Sequence, residues 1–420
     1  MKNSHITVLA AAALLLSVAA CEKEKFDRDV YNQVVDYQFL IDNVDSVHQW
    51  CLTHSDTIDV LTNNEEVYSV KILTANPLLA KDAEVAAEGV CYGYHVELGY
   101  TLPLVQDEFY VAALRQDGTY IGVVETTFGT KELDLSREVM TNSGTLTEPR
   151  QQTFTYLYEE GFPLPGDYDF NDLVLRISKQ QGERSYQVDL TVTVEAVGAT
   201  KSFAGAIQLV GIGYDDIESV TILEGAPFDQ GYPLKRMTIG SETLLRGRSG
   251  EAVINLFESG HYVMNNQLSS IGSVQTMFYN TVAEPVENVS ATVPPVTRTY
   301  RISFRNHQVA RNLSFDQIDP FIIQEYNGGQ WEMHTYAHKF DEVLYSIFNG
   351  KADFYDNHVS WSVVVPQSDF RYPVEGMSLG TYNSRLGETF GPYTSFAEWM
   401  TDHTKNNDWY LRITYPQFLY

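Results

Sequence analysis

The densest chemistry in the chain sits in one acidic loop. Glu159-Glu160 closes an apolar strand-like run, and Gly166-Asp167-Tyr168-Asp169-Phe170-Asn171-Asp172 follows a Pro163-Leu164-Pro165 turn. Asp167, Asp169 and Asn171 stand at positions 1, 3 and 5, the spacing at which a calcium loop turns alternate oxygens inward. No His or Cys stands beside them, and hard oxygen donors select Ca²⁺ over a transition metal. The loop is not an EF-hand. Asp172 takes position 6, where glycine is required, and Ser178 takes position 12, where a bidentate glutamate is required. A cation here needs ligands from elsewhere, and Glu159 and Glu160 are the nearest candidates. Asp and Asn also build metal-free turns by bonding to nearby backbone, so spacing alone leaves both readings open.

Other constellations carry less. Glu332 and His334 lie two apart, so on a strand they share one face. They could act as ligand or base, but a surface ion pair is the expectation for an ordinary β-protein. His48-x-x-Cys51-x-x-His54 with Cys91-x-x-x-His95 has a superficial zinc spacing, weakened by the long separation of the two segments. Cys51 and Cys91 are instead a candidate disulfide or two separate thiols. Trp331 and Trp409 are candidates for an aromatic sugar platform. No G-x-S-x-G, H-E-x-x-H, P-loop or dinucleotide fingerprint occurs, so no catalytic residue is nominated.

The N-terminus is the most specific signal. Residues 6–20, ITVLAAAALLLSVAA, follow a short start carrying Lys2. This is the layout of a secretory signal peptide, too short to span a bilayer stably. It ends in Val18-Ala19-Ala20-Cys21, which resembles the bacterial lipobox and makes Cys21 the expected lipidated first residue. A multiply acylated cysteine anchors stably. The charged run Glu22-Lys23-Glu24-Lys25-Phe26-Asp27-Arg28-Asp29 is either a solvated tether or a sorting signal. It resembles the surface-export signals of Bacteroidetes lipoproteins, so an outer-membrane lipoprotein displayed at the cell surface is expected. The periplasm-facing leaflet is the alternative.

These groups need elements to position them. The 420 residues are long enough for two or three domains, and 44 % hydrophobic residues are ample for packed cores. Twenty-seven Tyr and 21 Phe favour strands over helices. A formal charge of −27 argues against a nucleic-acid surface, which needs a basic excess. Short alternating runs at 67–73, 89–96, 108–114 and 120–124 predict an Ig-like β-sandwich over 46–135, with Gln116-Asp117-Gly118 as a hairpin turn. Residues 1–20 form the signal peptide, 21–45 the lipidated Cys and charged tether, and 136–150 a polar linker. Strand-like runs at 153–160, 172–179, 186–195, 204–210, 296–305, 320–324 and 361–365 predict a larger β-sandwich, jelly-roll-like, over 151–420. Its one short helix is expected at 395–403, with Ser395 as cap and Glu398 completing a capping box.

The larger region resembles the LruC domain, a family of unknown function common in Bacteroidetes lipoproteins. Tyr158-Glu159-Glu160 with GDYDFNDLV looks like its opening, and further matches follow in order. They are Val197-Gly198-Ala199, Phe278-Tyr279-Asn280-Thr281, Glu332-Met333-His334, Tyr372-Pro373-Val374-Glu375, and Phe396…Trp399…Asp408-Trp409-Tyr410. The resemblance implies an all-β domain on an anchored lipoprotein, often after an Ig-like domain, and no established activity. The combined expectation is a non-enzymatic binding or structural lipoprotein with a calcium-stabilised acidic loop. A glycan-binding surface module and a carbohydrate-active enzyme are the alternatives.

Overall fold

The computed structural model describes residues 44–45, 47–160, 166–224, 242–247, 250–265, 277–326, 329–335, 360–383 and 388–420. Cys21, the signal peptide and the charged run lie outside the described residues. So does the side chain of Trp331.

The first strands are β1 (Thr53–Leu61), β2 (Ser69–Leu73), β3 (Glu84–Val90), β4 (His95–Pro103), β5 (Glu108–Leu114), β6 (Tyr120–Thr127), β7 (Glu132–Asp134) and β8 (Arg150–Gln151). They form a three-stranded sheet, β4-β1-β7, facing a five-stranded sheet, β6-β5-β2-β3-β8. The first strand pairs with the fourth and the second with the fifth, which is the strand connection of an Ig-type sandwich. Ile58, Val60, Val70, Ile72, Val96, Leu98, Phe109 and Val111 fill its core. The run at 89–96 is not one strand. Gly93 and Tyr94 both adopt positive φ (64° and 68°), and Tyr92 N–H donates to the His95 carbonyl (3.0 Å). That is a tight hairpin turn with the two left-handed positions a type I′ turn demands, disguised in sequence by a tyrosine at the second.

The remaining elements are β9 (Thr153–Tyr158), β10 (Leu173–Gln181), β11 (Gln187–Ala196), β12 (Ala204–Gly213), β13 (Ile217–Glu224), β14 (Leu244–Arg246), β15 (Glu251–Phe257), α1 (Gly260–Asn265), β16 (Phe278–Tyr279), β17 (Ser290–Ala291), β18 (Val296–Phe304), α2 (His307–Asn312), β19 (Ile318–Tyr326), β20 (Gly329–Met333), β21 (Ser362–Val365), β22 (Thr381–Asn383), β23 (Glu388–Phe390) and α3 (Phe396–Thr401). A six-stranded sheet, β13-β18-β11-β10-β9-β21, faces a five-stranded one, β14-β15-β12-β19-β20. The all-β expectation holds, but α1 and α2 stand beside the one helix the sequence announced. At α3 the Ser395 side chain makes no cap bond and its hydroxyl is buried without a partner.

One edge of the six-stranded sheet is covered on both faces. Along β9, Tyr156 and Tyr158 point into the inter-sheet core while Leu157 points the other way. Leu157, Val174, Ala196, Val363 and Val365 carry an aromatic layer from the C-terminal residues: Phe370, Tyr372, Tyr393, Phe396, Trp399 and Trp409. Trp50 and Leu52, from just before β1, join the same layer. The two sandwiches also touch through α2, where Asn312 donates its side-chain amide to Glu97 on β4 (2.6 Å).

Cys51 and Cys91 are both free thiols, so the candidate disulfide is not formed. Cys51 precedes β1, whereas Cys91 lies at the opposite end, where Leu61 pairs with His95. At ~3.4 Å per residue, nine strand residues hold them ~30 Å apart, far beyond bonding reach. The zinc spacing dissolves for the same reason: His54 stacks on Phe128 (3.6 Å) while His95 bonds Asp59 (3.1 Å).

Glycine at position 99 is required by the α2 contact, since a Cβ there would stand 2.3 Å from the Asn312 carbonyl oxygen. Gly99→Ala is expected to lower unfolding free energy by about 1–3 kcal/mol in denaturant titrations. An unchanged midpoint contradicts this docking of the two sandwiches.

Candidate metal centre

The acidic loop connects β9 to β10, whose ends are clamped by the Leu173–Tyr158 pairing. Tyr168 and Phe170 adopt positive φ (58° and 55°), each costing about 1–3 kcal/mol for a residue with a side chain. Burial compensates. Both rings enter the C-terminal aromatic layer, Phe170 lying 6.1 Å from Phe396, and the Tyr168 carbonyl accepts from Leu379 N–H (2.8 Å). Aromatic residues thus alternate with polar ones, and the polar ones converge on the other side.

The ligand oxygens of Glu159, Asp167 and Asp169 lie within 4.8 Å of one another. Glu159 and Asp169 are each 1 % exposed, and Asn171 is fully enclosed. Glu159 accepts from the backbone N–H of Tyr168 (3.2 Å) and Phe170 (3.1 Å). Asp169 accepts from Asn171 N–H (3.1 Å) and Gly376 N–H (2.7 Å). Asn171 donates its amide to the Pro373 carbonyl (3.1 Å), while its Oδ1 is buried with no partner. That oxygen and Oε2 of Glu375 converge over Gly198, 2.1 and 2.8 Å from where a Cβ would stand, so any larger residue would collide with them.

Two sequence candidates are turned elsewhere. Glu160 caps the next loop, accepting from the backbone of Thr200 (2.9 Å) and Lys201 (2.7 Å). Asp172 accepts the Glu160 N–H. Glu375, whose Oε2 stands beside Asn171 Oδ1 at Gly198, was not nominated from the sequence. It stands about two hundred residues away, and its only signal was the Tyr372-Pro373-x-Glu375 motif.

Burial, joined by mutual repulsion, holds the carboxyls of Glu159, Asp169, Asp172 and Glu375 well above the usual carboxylate range. Burial likewise raises Asp167. The charges that bear most on Glu159 and Glu375 are other carboxylates: Asp167, Asp169 and Asp172. Such a group can hold protons or a divalent cation. An all-oxygen donor set suits a hard ion such as Ca²⁺.

The chain matches the domain of unknown function DUF4842 over residues 185–410. It belongs to that family. The DUF4842 match begins at the start of β11 and takes in Gly198 and Glu375, while the acidic loop precedes it. No curated protein matches the chain. The crystal structure of a putative lipoprotein from Bacteroides ovatus is similar at a TM-score of 0.47 and 16 % identity, covering 85 % of this chain and 99 % of that one. Among the described residues no helix is long and apolar enough to cross a membrane.

Within the DUF4842 region, Glu332 and His334 form a pair as their spacing suggests, but not at the surface. Their side chains are 4 % and 3 % exposed. His334 Nε2 lies 2.9 Å from Glu332, and Nδ1 lies 2.5 Å from Asp319, a partner 15 residues upstream that sequence gave no sign of. Asp319 also accepts from the Thr335 backbone (3.1 Å) and hydroxyl (2.8 Å), and the imidazole stacks on Phe321 (4.3 Å). With both ring nitrogens engaged by carboxylates, His334 has no lone pair for a metal or substrate. Trp409 is fully buried against Phe396 (4.8 Å), so it offers no sugar platform.

Burial lowers the His334 pKa, but Asp319 and Glu332 outweigh it and the group rises to about 9. A pKa above the unfolded value of about 6.5 gives stability that is complete below that pH and is lost as pH passes about 9. Melting temperature is therefore expected to fall between pH 7 and 9.5, and His334→Gln to flatten that fall. Parallel wild-type and variant profiles contradict the buried ion triplet.

Proposed function

We propose that this protein is a lipid-anchored, LruC-type envelope lipoprotein of structural or binding role, whose acidic loop holds Ca²⁺. The observation that carries the reading is the convergence of Glu159, Asp167 and Asp169 within 4.8 Å beside the buried, unpartnered Asn171 oxygen. Carboxylates crowded together out of water are costly when ionised, and a divalent ion removes that cost while satisfying the orphan oxygen. Anchoring rests on Val18-Ala19-Ala20-Cys21, and outer-membrane surface display on the charged run after it. The non-enzymatic reading rests on enclosure: at 1 % exposure, Glu159 and Asp169 are out of reach of a glycan chain.

A glycan-binding role is the second reading, favoured by Tyr92 and Tyr94, which stand 53 % and 50 % exposed at the β3–β4 turn. Binding on a glycan array that disappears in Tyr92→Ala/Tyr94→Ala supports it, and an array without signal rejects it.

Calcium at a hundredfold its dissociation constant adds about 2.7 kcal/mol to unfolding free energy. The wild-type chain is expected to melt several degrees higher in calcium than in excess EDTA, and Asp167→Ala/Asp169→Ala to melt alike in both. Equal wild-type melts overturn the calcium reading. Cys21→Ser is expected to move the protein from the membrane to the soluble fraction; continued membrane retention contradicts lipid anchoring. Protease shaving of intact cells that leaves the protein uncut contradicts surface display.

A further inference from the structure

Residues 373–379, about two hundred residues on in the chain, are tied to the acidic loop. The Pro373 carbonyl accepts the Asn171 amide (3.1 Å), Gly376 N–H donates to Asp169 (2.7 Å), and Leu379 N–H donates to the Tyr168 carbonyl (2.8 Å). Between them Glu375 is fixed by Thr281, whose carbonyl accepts its N–H (2.9 Å) and whose hydroxyl donates to Oε2 (3.2 Å). That Oε2 and the partnerless Asn171 Oδ1 meet above Gly198, where only a residue without a side chain lets them approach.

We infer that Glu375 and Asn171 complete the cation site, so that one ion joins the β9–β10 loop to residues 372–376 and clasps the C-terminal aromatic layer onto the six-stranded sheet. This rests on the calcium reading proposed above. The coupling follows from the loop's alternation. Asp167, Asp169 and Asn171 face the ion, while Tyr168 and Phe170, between them, insert among Tyr372, Phe396 and Trp399. Neither face can rearrange without moving the other. Losing the ion leaves Glu375 beside the loop's carboxylates and frees the segment from 366 to 420, the part of the chain that reaches the sandwich through this layer. Binding energy at the site and local opening of that segment are thereby linked.

The experiment uses the full chain in detergent, with Ca²⁺ alone as the probe. Limited proteolysis with mass-spectrometric mapping is run in calcium and in EGTA, and calcium affinity is measured for wild type and Glu375→Gln. The expected result is that EGTA brings the first cuts into 366–420, at least tenfold faster than in calcium, and that Glu375→Gln binds at least tenfold more weakly. First cuts elsewhere in EGTA overturn the clasp without any variant having to fold. Equal affinity of a folded Glu375→Gln chain overturns the ligand assignment while leaving the calcium reading intact. Absence of calcium binding by wild type overturns both.

Discussion

Negative charge gathered out of water, carboxylate beside carboxylate, is the constraint around which the larger sandwich is organised. Glu159, Asp167, Asp169, Asp172 and Glu375 repel one another where solvent screens poorly. Backbone N–H groups from Tyr168, Phe170, Asn171 and Gly376 soften the repulsion without supplying charge. Something positive must complete the balance, either protons taken up by carboxyls shifted upward or a cation. On the calcium reading, an ion from solution meets that demand. His334 shows the contrary arrangement: there two carboxylates enclose an imidazolium supplied by the chain itself.

The architecture turns that local demand into a global one. The loop that gathers the acids also drives Tyr168 and Phe170 into the aromatic layer beneath α3. That layer receives Trp50 and Leu52 from the chain's entry into the first sandwich, and closes the outer face of β9, β10 and β21. Stability at the site therefore bears on segments far apart in sequence, whereas the Ig-type sandwich keeps a separate core around Val60, Val70 and Leu98. The close approach at Gly99 joins the two bodies by shape rather than by charge.

Strands were legible where alternation was regular: β11 stands within a residue of its sequence limits, since one of its faces is half-exposed. The Gly93-Tyr94 turn was hidden because a left-handed tyrosine carries no turn signature, and α1 and α2, no shorter than α3, were not announced at all. In the site, local spacing named Asp167, Asp169 and Asn171, and the structure brings the first two within 4.8 Å of Glu159. It could not show that Glu160 turns away to Thr200, nor that Glu375 arrives from two hundred residues on. Those depend on pairing between distant strands. The same holds for Asp319, which made a buried triplet of what spacing presented as a surface pair.

If a cation serves as the missing counter-charge, it must displace protons held by carboxyls whose pKa values burial has raised. Calorimetric titration of the full chain with Ca²⁺ near pH 6, in two buffers of different ionisation enthalpy, reads this directly. The account predicts saturable binding whose heat changes with buffer in the sense of net proton release. Heats indistinguishable from dilution, or binding with no dependence on buffer, would contradict it.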